Sequence, residues 1–89
     1  MTKNKIKTIF EKIFKKIQKI YDITADVKIS IYESKHQKYG KYTCNIALQL
    51  SPIVKIPSLK LAQIIEEQIT SSTSIKNVKI SGPGFINIF

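Results

Sequence analysis

In the closing stretch GPGFINIF, residues 82–89, Asn87 follows Phe85 by two positions. Side chains two apart in an extended strand project from one face. Ring and amide would therefore stand side by side, with Ile86 and Ile88 on the other face. A flat ring is a platform for a nucleobase, worth about 1–3 kcal/mol per stacked base. A carboxamide carries both a donor and an acceptor, enough to read one base edge in a bidentate manner. RNA recognition often targets bases splayed out of single-stranded loops. Lys76 and Lys79, on the preceding strand, could touch the flanking phosphates. A plainer reading of the pair is Asn87 facing solvent and Phe85 in the core.

Catalytic chemistry has little to work with. His36 lies in a lysine-rich loop with no evident acid partner, so a Ser-His-Asp device is not assembled. One histidine and one cysteine argue against a zinc site. Cys44 is expected on the apolar face of a helix, which suits an inert thiol better than an activated one. Glu66 and Glu67 are adjacent on a helix and point apart, so they make a poor carboxylate pair. With Gly40, Gly82 and Gly84 the only glycines, no nucleotide-binding fingerprint fits.

Composition bounds the rest. At 89 residues and 43% hydrophobic content, residues 1–89 make one small domain with one core. The formal charge is +9 and the 15 basic residues are all lysine. Abundant lysine and isoleucine suggest an AT-rich coding sequence, which weakens the charge as evidence. A strongly basic small domain still suits a polyanionic partner. A single cysteine excludes an internal disulfide, and a reducing, cytoplasmic setting is the simplest expectation. No apolar run approaches the roughly 20 residues that span a bilayer, and no membrane partner is expected.

The elements that must position these residues follow from periodicity. Ile6, Ile9, Phe10, Ile13, Phe14, Ile17, Ile20 and Tyr21 recur at helical spacing, predicting an amphipathic helix over 4–21 capped by Thr2 or Asn4. Lys5, Lys12, Lys16 and Lys19 lie on its opposite face, a lysine back that is a solvated surface, a phosphate attractor, or the mark of a membrane-surface helix or organelle targeting peptide. After a break at 22–26, alternation of Val27, Ile29 and Ile31 predicts a strand over 27–32. Residues 33–42 read as a loop, with a short strand near 39–43 as an option. Residues 43–50 read as a helix capped by Thr43, with Cys44, Ala47 and Leu48 inward. Pro52 is expected to end or kink it, or to open a further turn capped by Ser51. A helix over 57–71 buries Leu61, Ala62, Ile65 and Ile69, leaving Glu66 and Glu67 in water. After a connector at 71–74, a strand over 75–81 places Val78 and Ile80 on one face and Lys79 on the other. Gly82-Pro83-Gly84 turns the chain into an antiparallel last strand. The order predicts an α+β two-layer domain, a small mixed sheet under two or three helices.

Two stretches, KYGKYTCNIALQL at 38–50 and VKISGPGFINIF at 78–89, resemble the N-terminal additional domain of class I arginyl-tRNA synthetases. Gly40, Tyr42, Asn45, Ala47, Leu48, Gly82, Pro83, Gly84, Phe85 and Asn87 match that family's pattern, and the element order follows it along the whole chain. The resemblance implies a domain on the outer corner of tRNA. There the aromatic and Asn of the last strand hold the D-loop base at position twenty, an identity element of arginine tRNA. On this basis Phe85, Asn87, Gly84, Lys79 and Lys76 form the expected tRNA-binding set. The expected partners are an arginine-isoacceptor tRNA and a synthetase catalytic domain in cis or in trans.

Departures from the pattern are specific. Lys41 stands where the family carries Asp, so Thr43 is expected to cap the following helix. Phe85 lacks the hydroxyl of relatives with tyrosine there, leaving stacking alone. The chain has neither the H-x-G-H motif nor the K-M-S-K-S-like loop of class I catalytic domains. ATP and arginine are therefore expected only at a parent catalytic domain, and no cofactor is expected here. The alternative is a free-standing module that docks on a synthetase core or another protein.

Overall fold

The computed structural model describes residues 2–24, 27–73 and 75–89. The first element, α1 (Lys3–Tyr21), starts where Thr2 Oγ1 accepts the Lys5 N–H at 3.3 Å. It buries Ile6, Phe10, Ile13, Phe14 and Ile17, as the periodicity requires. It stops at Asp22, whose left-handed backbone (φ 53°) aims its N–H at the Gln18 carbonyl. Asp tolerates this conformation better than most residues. Residues 25–26 of the predicted break lie outside the described residues.

The chain continues through β1 (Ile31–Glu33), a 3₁₀ turn (Gln37–Tyr39), β2 (Tyr42–Cys44), α2 (Ile46–Val54), α3 (Ser58–Ser72), β3 (Val78–Ser81) and β4 (Phe85–Ile88). The sheet has the order β1-β2-β4-β3. The α+β class holds. The sheet is antiparallel at every pairing rather than mixed, because β4 inserts between β2 and β3 and runs against both. One row across it reads Ile31, Cys44, Ile86, Ile80, and these side chains face the helices. Opposite them, Leu61, Ala62, Ile65 and Ile69 of α3 are all fully buried, the stripe the sequence predicts.

Several predicted elements are displaced, among them the strand over 75–81, which begins only at Val78. Ile29 and Ile31 are buried as the alternation requires, yet only Ile31–Glu33 joins the ladder rather than 27–32. The reason is β2: Ile31 pairs with Cys44, and past Cys44 the chain turns into α2, so residues 27–30 have no strand to pair with. Residues 43–50 do not form one helix. Tyr42–Cys44 is the optional short strand, and α2 begins at Ile46 with Asn45 as cap residue. Tertiary packing decides this: Cys44 fills the gap between Ile31 and Ile86 in the sheet. Pro52 neither ends nor restarts a helix, since α2 runs through it to Val54. Proline leaves the Leu48 carbonyl without its usual donor, but burial of Ala47 and Leu50 holds the helix in place. The expected connector at 71–74 is helix through Ser72, and residue 74 lies outside the described residues.

Candidate nucleic-acid interface

The turn at 82–84 sets where β4 begins. Gly82 (φ 55°) and Gly84 (φ 145°) both occupy backbone that side chains disfavour. A Cβ on Gly84 would lie 2.9 Å from the Ser58 carbonyl oxygen, at the start of α3. Ser58 Oγ in turn donates to the Pro83 carbonyl at 2.6 Å. The turn is thereby fastened to α3, and Phe85 leaves it at a fixed place. Gly84 is buried under this contact, so it shapes the site rather than facing a ligand.

The face of the sheet away from the helices carries Tyr32, Thr43, Asn87 and Lys79 in one cross-strand row. Phe85 lies beside it, paired with Ser81. Phe85 is 37% exposed, whereas Asn87 is only 2% exposed. The amide is sunken but not in an apolar interior. Its Oδ1 accepts from Thr43 Oγ1 at 2.9 Å and its Nδ2 donates to Ser81 Oγ at 2.8 Å. A buried amide without such partners would be costly. Each contact uses one of the amide's two protons or two lone pairs, so one donor and one acceptor are left. Ser34 Oγ extends the chain of hydroxyls, 2.9 Å from Thr43 Oγ1 and 3.2 Å from the Tyr39 carbonyl oxygen.

These groups line a cavity of about 540 Å³. Tyr32, His36 and Tyr39 border it from the β1 side and Phe85 and Gly82 from the β4 side, with Thr43, Ser81 and Asn87 also in its lining. The volume lies within the range, about 300–1,000 Å³, of small-molecule sites. Of the five expected site residues, Phe85 and Asn87 meet here. Gly84 supports them from beneath. Lys79 sits across from Asn87 on β3, but its Nζ lies 5.6 Å from the Phe89 ring. Lys76 Nζ bonds the Thr70 carbonyl and borders a second concavity with Lys41 and Phe89. Lys35 and Glu33 also line the cavity, so it carries one side chain of each sign, while Lys79 and Lys76 lie at its flanks.

Sequence reasoning missed Thr43, Ser81, Ser34, Tyr32 and Tyr39. Thr43 was expected to cap a helix, yet its hydroxyl serves Asn87 from β2. Tyr42-Thr43-Cys44 does alternate, and that alternation read as a strand places Thr43 beside Asn87. Gly40 (φ 79°) is required where it stands, because a Cβ would strike the Ile88 backbone. Lys41 donates its N–H to the Ile88 carbonyl at 2.7 Å through backbone alone, so a side chain other than Asp serves there. Asn45 caps α2 without a side-chain bond, and its Oδ1 is a buried acceptor lacking a partner.

The other reactive groups stay apart from the cavity or uncoupled in it. Cys44 is 1% exposed, and burial pushes its thiol up to about 12 against a smaller lowering by a backbone hydrogen bond at Ile46. That is an inert thiol, on a strand rather than the expected helix. His36 stacks edge-on to Tyr39 with centroids 6.2 Å apart. Glu66 is half-buried and Glu67 exposed. Among the described residues no three His, Cys, Asp or Glu side chains cluster as a metal site, and no helix is long and apolar enough to cross a membrane.

The fold and site define a small α+β domain whose open sheet face carries a cavity of rings and hydroxyls around one amide. The chain belongs to the family described as the arginyl tRNA synthetase N terminal domain, whose profile matches residues 4–89. It is 40% identical over 88 residues to the arginine–tRNA ligase of Mesomycoplasma hyopneumoniae strain 7448, covering 98% of this chain and 16% of that protein. It is 32% identical over 84 residues to that of Thermotoga petrophila, covering 94% of this chain and 15% of the relative. With that of Shewanella amazonensis it shares 31% over 74 residues, 83% of this chain and 13% of the relative. The chain thus spans about a sixth or less of the length of these curated relatives. The resemblance carried by KYGKYTCNIALQL and GPGFIN is borne out, and the chain is a domain of the synthetase type.

Proposed function

We propose that this domain binds tRNA of the arginine isoacceptor and holds a D-loop base in the cavity on its open sheet face. The base stacks on Phe85, and its edge meets the donor and acceptor that Asn87 has left. Lys79, Lys76 and Lys35 supply attraction to the backbone around that point. The domain positions tRNA in support of arginine–tRNA ligation. The chemistry with ATP and arginine belongs to a catalytic domain joined to it or docked on it, in the cytoplasm. The observation that carries this reading is the pairing of an exposed ring with an amide only half used by its neighbours, in one cavity.

Titration of the domain with tRNA transcripts at several salt concentrations tests it. The logarithm of affinity should fall with the logarithm of salt. Asn87→Ala should weaken binding by an amount that depends on the D-loop base, about 1–3 kcal/mol for the preferred one. Equal loss for every base would reduce the interaction to generic lysine attraction and remove the D-loop reading.

A further inference from the structure

The amide of Asn87 is held only by hydroxyls, and a hydroxyl donates or accepts with equal ease. A half-turn of the amide therefore exchanges its two ends with every neighbouring heavy atom left in place, provided the neighbouring hydroxyl protons turn with it. Counting protons along the chain Tyr39 carbonyl, Ser34, Thr43, Asn87, Ser81 separates the two arrangements. In the first, Thr43 donates to Oδ1 of Asn87, and Nδ2 donates to Ser81. The 2.9 Å link between Ser34 and Thr43 then needs the Ser34 proton, so Ser34 cannot also serve the Tyr39 carbonyl. Three of four links are made. In the second, Ser81 donates to Oδ1, Nδ2 donates to Thr43, Thr43 to Ser34, and Ser34 to the Tyr39 carbonyl 3.2 Å away. All four links are made.

The two arrangements show the cavity opposite patterns. Where one offers the N–H, the other offers the carbonyl oxygen. The Watson–Crick edge of adenine presents a donor beside an acceptor in one order, and that of guanine in the reverse order. Cytosine and uracil divide in the same way as adenine and guanine. We infer that Asn87 is a reversible reader of base edges, and that Ser34 is the positioning residue which tilts it, acting through Thr43. This rests on the D-loop reading above. The tilt amounts to one neutral hydrogen bond, roughly two- to tenfold between the two classes of base.

Four tRNA transcripts differing only in the D-loop base, titrated against wild type, Ser34→Ala and Ser34→Thr, test this. With the Ser34 hydroxyl gone, both arrangements keep two links, so the tilt disappears. The ratio of affinities for the adenine and guanine transcripts should shift by roughly two- to tenfold in Ser34→Ala, and the cytosine-to-uracil ratio should shift in the same sense. Ser34→Thr should restore both ratios. Each ratio is taken within one protein, so a change in stability cancels. In the free protein, the side-chain amide protons of Asn87 should shift in Ser34→Ala and return in Ser34→Thr. Unchanged ratios in Ser34→Ala, or an equal loss for all four transcripts, overturn the inference and leave the D-loop reading standing. Asn87→Ala binding every transcript as tightly as wild type removes that reading, and this inference with it.

Discussion

The two faces of β4 do different work with alternate residues of one four-residue strand. Ile86 and Ile88 point into the helices and are 0% and 4% exposed. Phe85 and Asn87 point away, one ring open to solvent and one amide enclosed by hydroxyls. The inner face is held by non-directional apolar burial, which tolerates no gap. The outer face is held by directed bonds that leave part of their capacity unused. A strand can thus carry stability and recognition at once, because its period of two keeps the two sets of side chains apart.

That comparison is broken most severely from the inside. Ile86→Ala should destabilise the domain by about 2–5 kcal/mol, measured by urea denaturation, because it opens a cavity where the sheet meets the helices. A domain this small has little stability to lose, so RNA binding should fall with the folded fraction. Phe85→Ala should do the reverse. It should alter stability much less than Ile86→Ala does, while weakening tRNA binding by about 1–3 kcal/mol through the lost stacking surface. Equal effects of both substitutions on stability would erase the distinction between the faces.

The smallest effect concerns Cys44 on the inner face. Its thiol has an ordinary value of 9.0 and is raised to about 12 in the folded domain by burial. The folded state therefore holds its proton where the unfolded chain has lost it. Stability from this group is fully present below pH 9 and is lost as pH rises from 9 towards 12. At pH 10 the loss should be about 1 kcal/mol relative to a Cys44→Ala variant carried through the same titration. Parallel pH profiles for the two proteins would show that the thiol is not sequestered.

How much of this is legible in the sequence depends on the length of the pattern. Helix α1 repeats its apolar stripe from Ile6 to Ile17, and its extent could be read within a residue. The hairpin of β3 and β4 could be read because Gly82-Pro83-Gly84 marks the turn and the alternation on each side is clear. Phe85 and Asn87 followed from that alternation. The middle of the chain could not be read so well. Tyr42-Thr43-Cys44 is only three residues of strand, bordered at once by the start of α2, and local pattern there fits either state. Its strand identity comes from pairing with Ile31 to Glu33 on one side and Ile86 to Ile88 on the other, contacts distant in sequence. With β2 misplaced, the hydroxyls of Thr43 and Ser34 could not be set beside Asn87. The expected amide on an open surface is for that reason an amide in a cavity.

The most direct test of the account is to map tRNA binding residue by residue, following backbone and side-chain amide resonances of the labelled domain as an arginine tRNA is added. The largest shifts should fall at Tyr32, Thr43, Ser81, Phe85 and Asn87, with the lysine back of α1 little changed. Shifts concentrated on Lys5, Lys12, Lys16 and Lys19, with the Asn87 side chain unmoved, would contradict it.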